Sequence, residues 1–108
     1  MLYQDRIRAA CERLNISAGT LAAVAGISQA SLSRFMTRNA NLPELSVLMQ
    51  SIADLDALVS DAAPYSLPFD NVEAVKKMIE RYRGGLRFIP VAVGTREEIA
   101  DFEVEIEQ

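Results

Sequence analysis

Histidine is absent from the 108 residues and cysteine occurs once, at Cys11. Together these gaps exclude an intrachain disulfide, a zinc site built on Cys or His, and any Ser-His or Cys-His nucleophilic pair. No apolar run approaches the roughly 18 uninterrupted residues that a membrane span needs. The first residues, MLYQDRIRAACERL, carry charge where a secretory leader is purely apolar. A soluble, cytoplasmic chain with no membrane partner is therefore expected. There is no internal repeat and no low-complexity tract. Half of the residues are apolar and 24% are charged, which is a globular composition. The length suits one domain, or a small domain with an appendage.

Charge is divided along the chain. The formal net charge is −4, which by itself argues against a polyanionic partner. Residues 1 to 42, however, hold Arg6, Arg8, Arg13, Arg34 and Arg38 against Asp5 and Glu12, a net +3. In residues 43 to 108, six cations face thirteen carboxylates, a net −7. Such a split suits a local anion contact by the first part, while the acidic remainder limits indiscriminate adhesion to nucleic acid.

Tyr3, Ile7, Ala10 and Leu14 recur at steps of four, three and four, so the spacing predicts an amphipathic helix over residues 2 to 14. Cys11 borders that stripe as a small core filler, without chemistry of its own. Asn15 breaks the pattern and Ser17 stands at an N-cap position, opening a second helix from Ala18 to Ala25. Gly26 supplies the left-handed backbone that ends it, and Ile27 returns the chain to the core. Ser28 caps a third helix from Gln29 to about Thr37, with Leu32 and Phe35 inward. After a loop over residues 38 to 42, Pro43 suits a first helical turn. A fourth helix from about Glu44 then has Leu45, Leu48, Met49, Ile52 and Leu55 inside. Leu58 and Val59 either prolong it or form a short fifth helix.

Residues 1–60 are thus expected to form one domain, 61–69 a linker and 70–108 a C-terminal segment. In that segment Asp70 or Asn71 caps a helix with the stripe Val72, Val75, Met78, Ile79 and Tyr82, which Gly84 and Gly85 stop. LRFIPVAV then turns strand-like, and Pro90 confines it to an edge or bends it. In DFEVEIE the apolar and acidic residues alternate with the period of a half-buried strand. The expected class is α+β: a helical bundle of four or five helices, then a helix and either a short antiparallel β hairpin or strands that pair between subunits. Phe88, Val91, Phe102, Val104 and Ile106 are the candidate dimerisation residues.

The second and third helices carry the functional signal. Ala22 is small enough to let one helix cross the other closely, Gly26 makes the sharp turn, and Ile27, Leu32 and Phe35 anchor the third helix while its other face protrudes. The segment AGTLAAVAGISQASLSRFMTRN resembles the helix-turn-helix of the lambda-repressor and Cro type, the XRE family, and the resemblance extends over residues 1 to about 58. In that family the third helix enters the DNA major groove. The resemblance puts Gln29 and Ala30 at the start of the base-reading helix, with Ser33 and Arg34 one turn on. Gln suits a bidentate contact to adenine, Arg one to guanine, and Ala or Ser an apolar or hydroxyl contact to thymine or phosphate. It puts Ser17, Ser28, Thr37, Arg38 and Asn39 where relatives hold phosphate oxygens. Ala18 departs from the glutamine with which many relatives brace the recognition helix. Gly19, inside a helix at a cost of about 1 kcal/mol, either admits a phosphate closely or is slack that the helix tolerates.

The function implied is a sequence-specific transcriptional regulator, a phage or bacterial repressor. It would bind a double-stranded DNA operator as a homodimer, with no catalysis, no cofactor and no metal. The alternative is an antitoxin or other protein-interaction module whose helix-turn-helix is autoregulatory and whose acidic half neutralises a basic partner protein. Other signals read blandly. Lys76, Lys77, Arg81 and Arg83 give the later helix a basic side, but Glu73 and Glu80 lie four residues from Lys77 and Lys76, so solvated ion pairs are expected. The acidic tail from Glu97 to Glu107 lacks the glycine-turned loop that calcium needs, and Gly84 and Gly85 open no phosphate-binding helix.

Overall fold

The computed structural model describes residues 2–63 and 66–85. These form five α-helices: α1 (Tyr3–Leu14), α2 (Ala18–Ala25), α3 (Gln29–Arg38), α4 (Leu45–Ala62) and α5 (Val72–Arg83). The chain divides into two compact units, Met1–Ala53 and Asp54–Gln108, and the division falls inside α4.

In the first unit, α1, α2 and α3 all end on a left-handed residue. Asn15 has φ +58°, Gly26 φ +76° and Asn39 φ +57°. At each end the residue after the left-handed one also donates its amide back into the helix. Ile16 donates to the Cys11 carbonyl, Ile27 to that of Ala22 and Ala40 to that of Arg34. This closure satisfies last-turn carbonyls that would otherwise be orphaned. Glycine takes the left-handed region without strain, and asparagine is the side chain that tolerates it best. The starts of α2 and α3 are just as local. Ser17 Oγ accepts from the Thr20 amide at 3.0 Å, and Ser28 Oγ from the Ser31 amide at 3.2 Å. The core of this unit holds Ile7, Ala10, Leu14, Leu21, Ala22, Val24, Ile27, Leu32, Phe35, Leu42, Leu48 and Ile52, all buried. Tyr3 is the member of the α1 stripe that does not join it. It is 46% exposed, with the Arg6 guanidinium 5.3 Å from its ring centroid.

In the second unit, Leu55, Leu58, Ala62, Leu67, Val75, Met78 and Ile79 are buried. Asn71 Oδ1 caps α5 by accepting from the Ala74 amide at 3.2 Å. Glu73 stands in the first turn of α5, and Arg81 and Arg83 in its last, as the helix dipole favours. Arg83 Nε donates to Asp54 Oδ2 at 2.7 Å, with Nη2 on the same oxygen, so α5 is tied to α4 by an ion pair. The spacing on α5 predicts pairs of Lys77 with Glu73 and Lys76 with Glu80, and the structure adds for Arg83 a carboxylate 29 residues away.

The α+β expectation is corrected: the described residues are helical, with no strand and no β hairpin among them. The described residues follow the helical period of their apolar stripes, such as Ile7, Ala10 and Leu14 in α1 and Val75, Met78 and Ile79 in α5, and these faces are buried. Residues 86–108, with Phe88, Val91, Phe102, Val104 and Ile106, lie outside the described residues. Among the described residues, no helix is long and apolar enough to cross a membrane.

Candidate functional site

α2 and α3 are joined by Gly26, Ile27 and Ser28 alone, and Ile27 is buried between two exposed neighbours. Successive α-helical residues advance by about 100°, so Gln29, Ser33, Thr37, Ala30 and Arg34 fall in that order within an arc of about 140° on α3. Leu32 and Phe35 lie across the axis from it. The burial follows this geometry: all five arc residues are exposed, and Leu32 and Phe35 are buried. The four residues assigned to base reading therefore share one exposed face.

Of the residues assigned to phosphate, Ser17, Ser28, Thr37, Arg38 and Asn39 are exposed and Gly19 is half-buried. Their hydrogen bonds divide them. Ser17 Oγ, besides capping α2, donates its proton to Thr20 Oγ1 at 3.1 Å. Ser28 accepts from the Ser31 amide, and its hydroxyl proton is not used in that bond. Thr37 Oγ1 donates to the Ser33 carbonyl at 2.8 Å, which leaves it as an acceptor. Asn39 accepts through Oδ1 from Gln4 at 2.7 Å, so its own amide protons are not spent there. Ser28, Arg38 and Asn39 are accordingly better suited to meet an anion than Ser17 or Thr37 in these rotamers.

The sequence around this face is poor in carboxylates. Between Glu12 and Glu44 the sequence has no carboxylate, while Arg13, Arg34 and Arg38 fall in that interval. Asp5, one of the two acids of the first 42 residues, is paired with Arg8 at 3.3 Å. Arg34 Nη2 reaches its own helix only at Ser31 Oγ, 3.4 Å away.

No protein-family model, curated protein or solved structure matches the chain. The arrangement of α2 and α3 therefore has to be read from its own chemistry. Among the described residues no group of three or more His, Cys, Asp or Glu is placed to hold a metal ion. Burial pushes the Cys11 thiol above its ordinary pKa, which disfavours the thiolate that a nucleophile requires. An open depression bordered by Tyr3, Arg6, Pro43 and Met49 contains no acid–base pair.

Sequence reasoning missed two residues, Gln4 and Arg8. Gln4 Nε2 donates to the Phe35 carbonyl at 3.2 Å as well as to Asn39, and Arg8 Nη2 donates to the Met36 carbonyl at 3.4 Å. From α1 they clamp the last turn of α3. Their one sequence signal is a pair of long polar side chains four apart beside the apolar stripe, which fits solvent equally well. Gln4→Ala is expected to lower stability by about 1 kcal/mol and to speed hydrogen exchange at the Arg38 and Asn39 amides above that at Leu32. Unchanged exchange at those amides would show that the clamp is not formed in solution.

Proposed function

We propose that this chain is a sequence-specific DNA-binding regulator of the lambda-repressor and Cro type, cytoplasmic, with α3 lying in the major groove. The observation that carries the reading is the exposed arc of α3. Gln29, Ala30, Ser33 and Arg34 share it, opposite the buried Leu32 and Phe35, in a stretch free of carboxylates. Glutamine and arginine are the side chains whose paired donors and acceptors match base edges in that groove. Ser28, Arg38 and Asn39 flank the arc at the two ends of α3 and suit backbone phosphates, which position without specifying. So small a module buries limited surface on DNA, so two copies on two half-sites about one helical turn apart are the natural binding form. Repression by occupying a promoter needs no cofactor and no catalytic step.

The test begins by selecting bound sequences from a random duplex pool, then compares Gln29→Ala, Arg34→Ala and Arg38→Ala on the selected operator and on random DNA. Gln29→Ala is expected to cost roughly 1–3 kcal/mol per half-site on the operator, with little change on random DNA. Arg38→Ala should weaken both about equally and reduce the salt slope of log affinity by about 0.9 per subunit, since one phosphate contact is lost. Failure to enrich any sequence would end the DNA reading. If Gln29 and Arg34 are both silent on an operator bound specifically, α3 does not read the groove.

The net −7 of residues 43 to 108 favours one second reading, an autoregulatory antitoxin whose acidic part neutralises a basic protein. Stoichiometric co-purification with a basic partner encoded beside it would favour that role.

A further inference from the structure

Gly19 and Gln29 are ten residues apart, on α2 and α3, yet they meet. A Cβ placed on Gly19 would lie 2.9 Å from Gln29 Nε2, 3.2 Å from its Cδ and 3.4 Å from its Oε1. All three atoms belong to the carboxamide, so the Gln29 side chain folds back across the turn and rests its amide on the bare backbone of α2. A methyl group at 2.9 Å from a nitrogen is not tolerated, and something has to move. The atoms that must move are the free end of a flexible side chain, not backbone. Helix propensity adds an independent argument, because glycine inside a helix is disfavoured relative to alanine. Gly19 does not have the positive φ that would call for glycine on backbone grounds.

We propose that Gly19 is a specificity-determining position: by lacking a side chain it seats the Gln29 carboxamide in the orientation that α3 presents to a base. This deepens, and rests on, the reading of α3 as a groove-reading helix. A glutamine free to sample its rotamers loses side-chain entropy when it makes a bidentate contact, and an amide already held by its neighbour loses less. Gly19 is then a positioning residue for Gln29, which itself meets the base.

The test uses the full chain with Gly19→Ala, Gln29→Ala and the double variant. In the free protein, Gly19→Ala should shift the Gln29 side-chain amide resonances, assigned by their loss in Gln29→Ala, while the unfolding midpoint stays level or rises. On DNA, each variant is titrated against the selected operator and against the same operator with single base pairs changed. Gln29→Ala should reduce discrimination at one base pair of each half-site by roughly 5- to 150-fold. Gly19→Ala should reduce it at that same base pair by about 3- to 10-fold, a fraction of the full contact. In the Gln29→Ala background, Gly19→Ala should add nothing.

Three results overturn the proposal alone: unmoved Gln29 resonances in Gly19→Ala, a fallen unfolding midpoint, or wild-type discrimination when Gln29→Ala has lost it. A Gly19→Ala variant that weakens operator and random DNA equally would also overturn it, by making Gly19 a phosphate contact. If Gln29→Ala itself leaves discrimination intact, or no duplex is bound specifically, the reading of α3 has failed and the seat fails with it. The silence of Gln29 tells that case from the others.

Discussion

Phe35→Ala is expected to lower stability by about 3–5 kcal/mol, the range for emptying a buried aromatic site. Phe35 is 7% exposed on the inner face of α3 and, with Leu32, is one of its two buried side chains. The substitution isolates the ring. The Phe35 carbonyl accepts from Gln4 and from the Asn39 amide, and both bonds survive in alanine because they use only backbone oxygen at that position. Helix propensity runs the other way, since alanine is the better helix former, so a measured loss belongs to packing. A small domain has only about 5–15 kcal/mol in total. The variant should therefore unfold at much lower urea. Urea unfolding followed by far-ultraviolet circular dichroism reads the effect. A loss below about 1 kcal/mol would mean that the ring is not buried as described, since surface substitutions typically stay within about ±0.5 kcal/mol.

Leu58→Ala is the second large effect, about 2–5 kcal/mol, in the other unit. Leu58 is 0% exposed and belongs to the core made by Leu55, Ala62, Val75, Met78 and Ile79. Its chain neighbour Val59 is 36% exposed. Val59→Ala should therefore change stability by no more than about 0.5 kcal/mol, since it empties no buried site and gains helix propensity. The pair makes a sharp comparison, because both residues are apolar, adjacent and on the same helix. Equal losses from Leu58→Ala and Val59→Ala, measured side by side in urea, would show that α4 does not present the face described here.

That pair also marks where sequence reading runs out. From the amino acids alone, Leu58 and Val59 fit either the end of the fourth helix or a separate short one. In the structure α4 continues without a break to Ala62. No glycine, proline or asparagine interrupts residues 44 to 62, so no local signal ends the helix at Leu58; Pro64 is the first such residue, and Leu55, Leu58 and Ala62 are buried along the helix that precedes it. The α+β class is overturned on other grounds: every element of the described residues is an α-helix, and residues 86–108, where alternation and branched residues suggested strands, lie outside them.

What the sequence by itself determined is what nearest neighbours decide. The start of α2 at Ser17 and of α3 at Ser28, the left-handed turn at Gly26 and the cap of α5 at Asn71 each depend on atoms within four residues, so each leaves a readable mark. The burial of Leu32 and Phe35, and hence the exposed arc with Gln29, Ala30, Ser33 and Arg34, follows from helical periodicity alone. Tertiary structure alone decided the contacts that join residues distant in the chain. Gln4 reaches Phe35 and Asn39 across 31 and 35 residues, Arg83 reaches Asp54 across 29, and the Gln29 amide settles on Gly19. A long polar side chain at a helix surface is compatible with solvent and with any partner of the right chemistry. Periodicity places its Cα, but only the packing of one helix against another decides which atoms its flexible end meets.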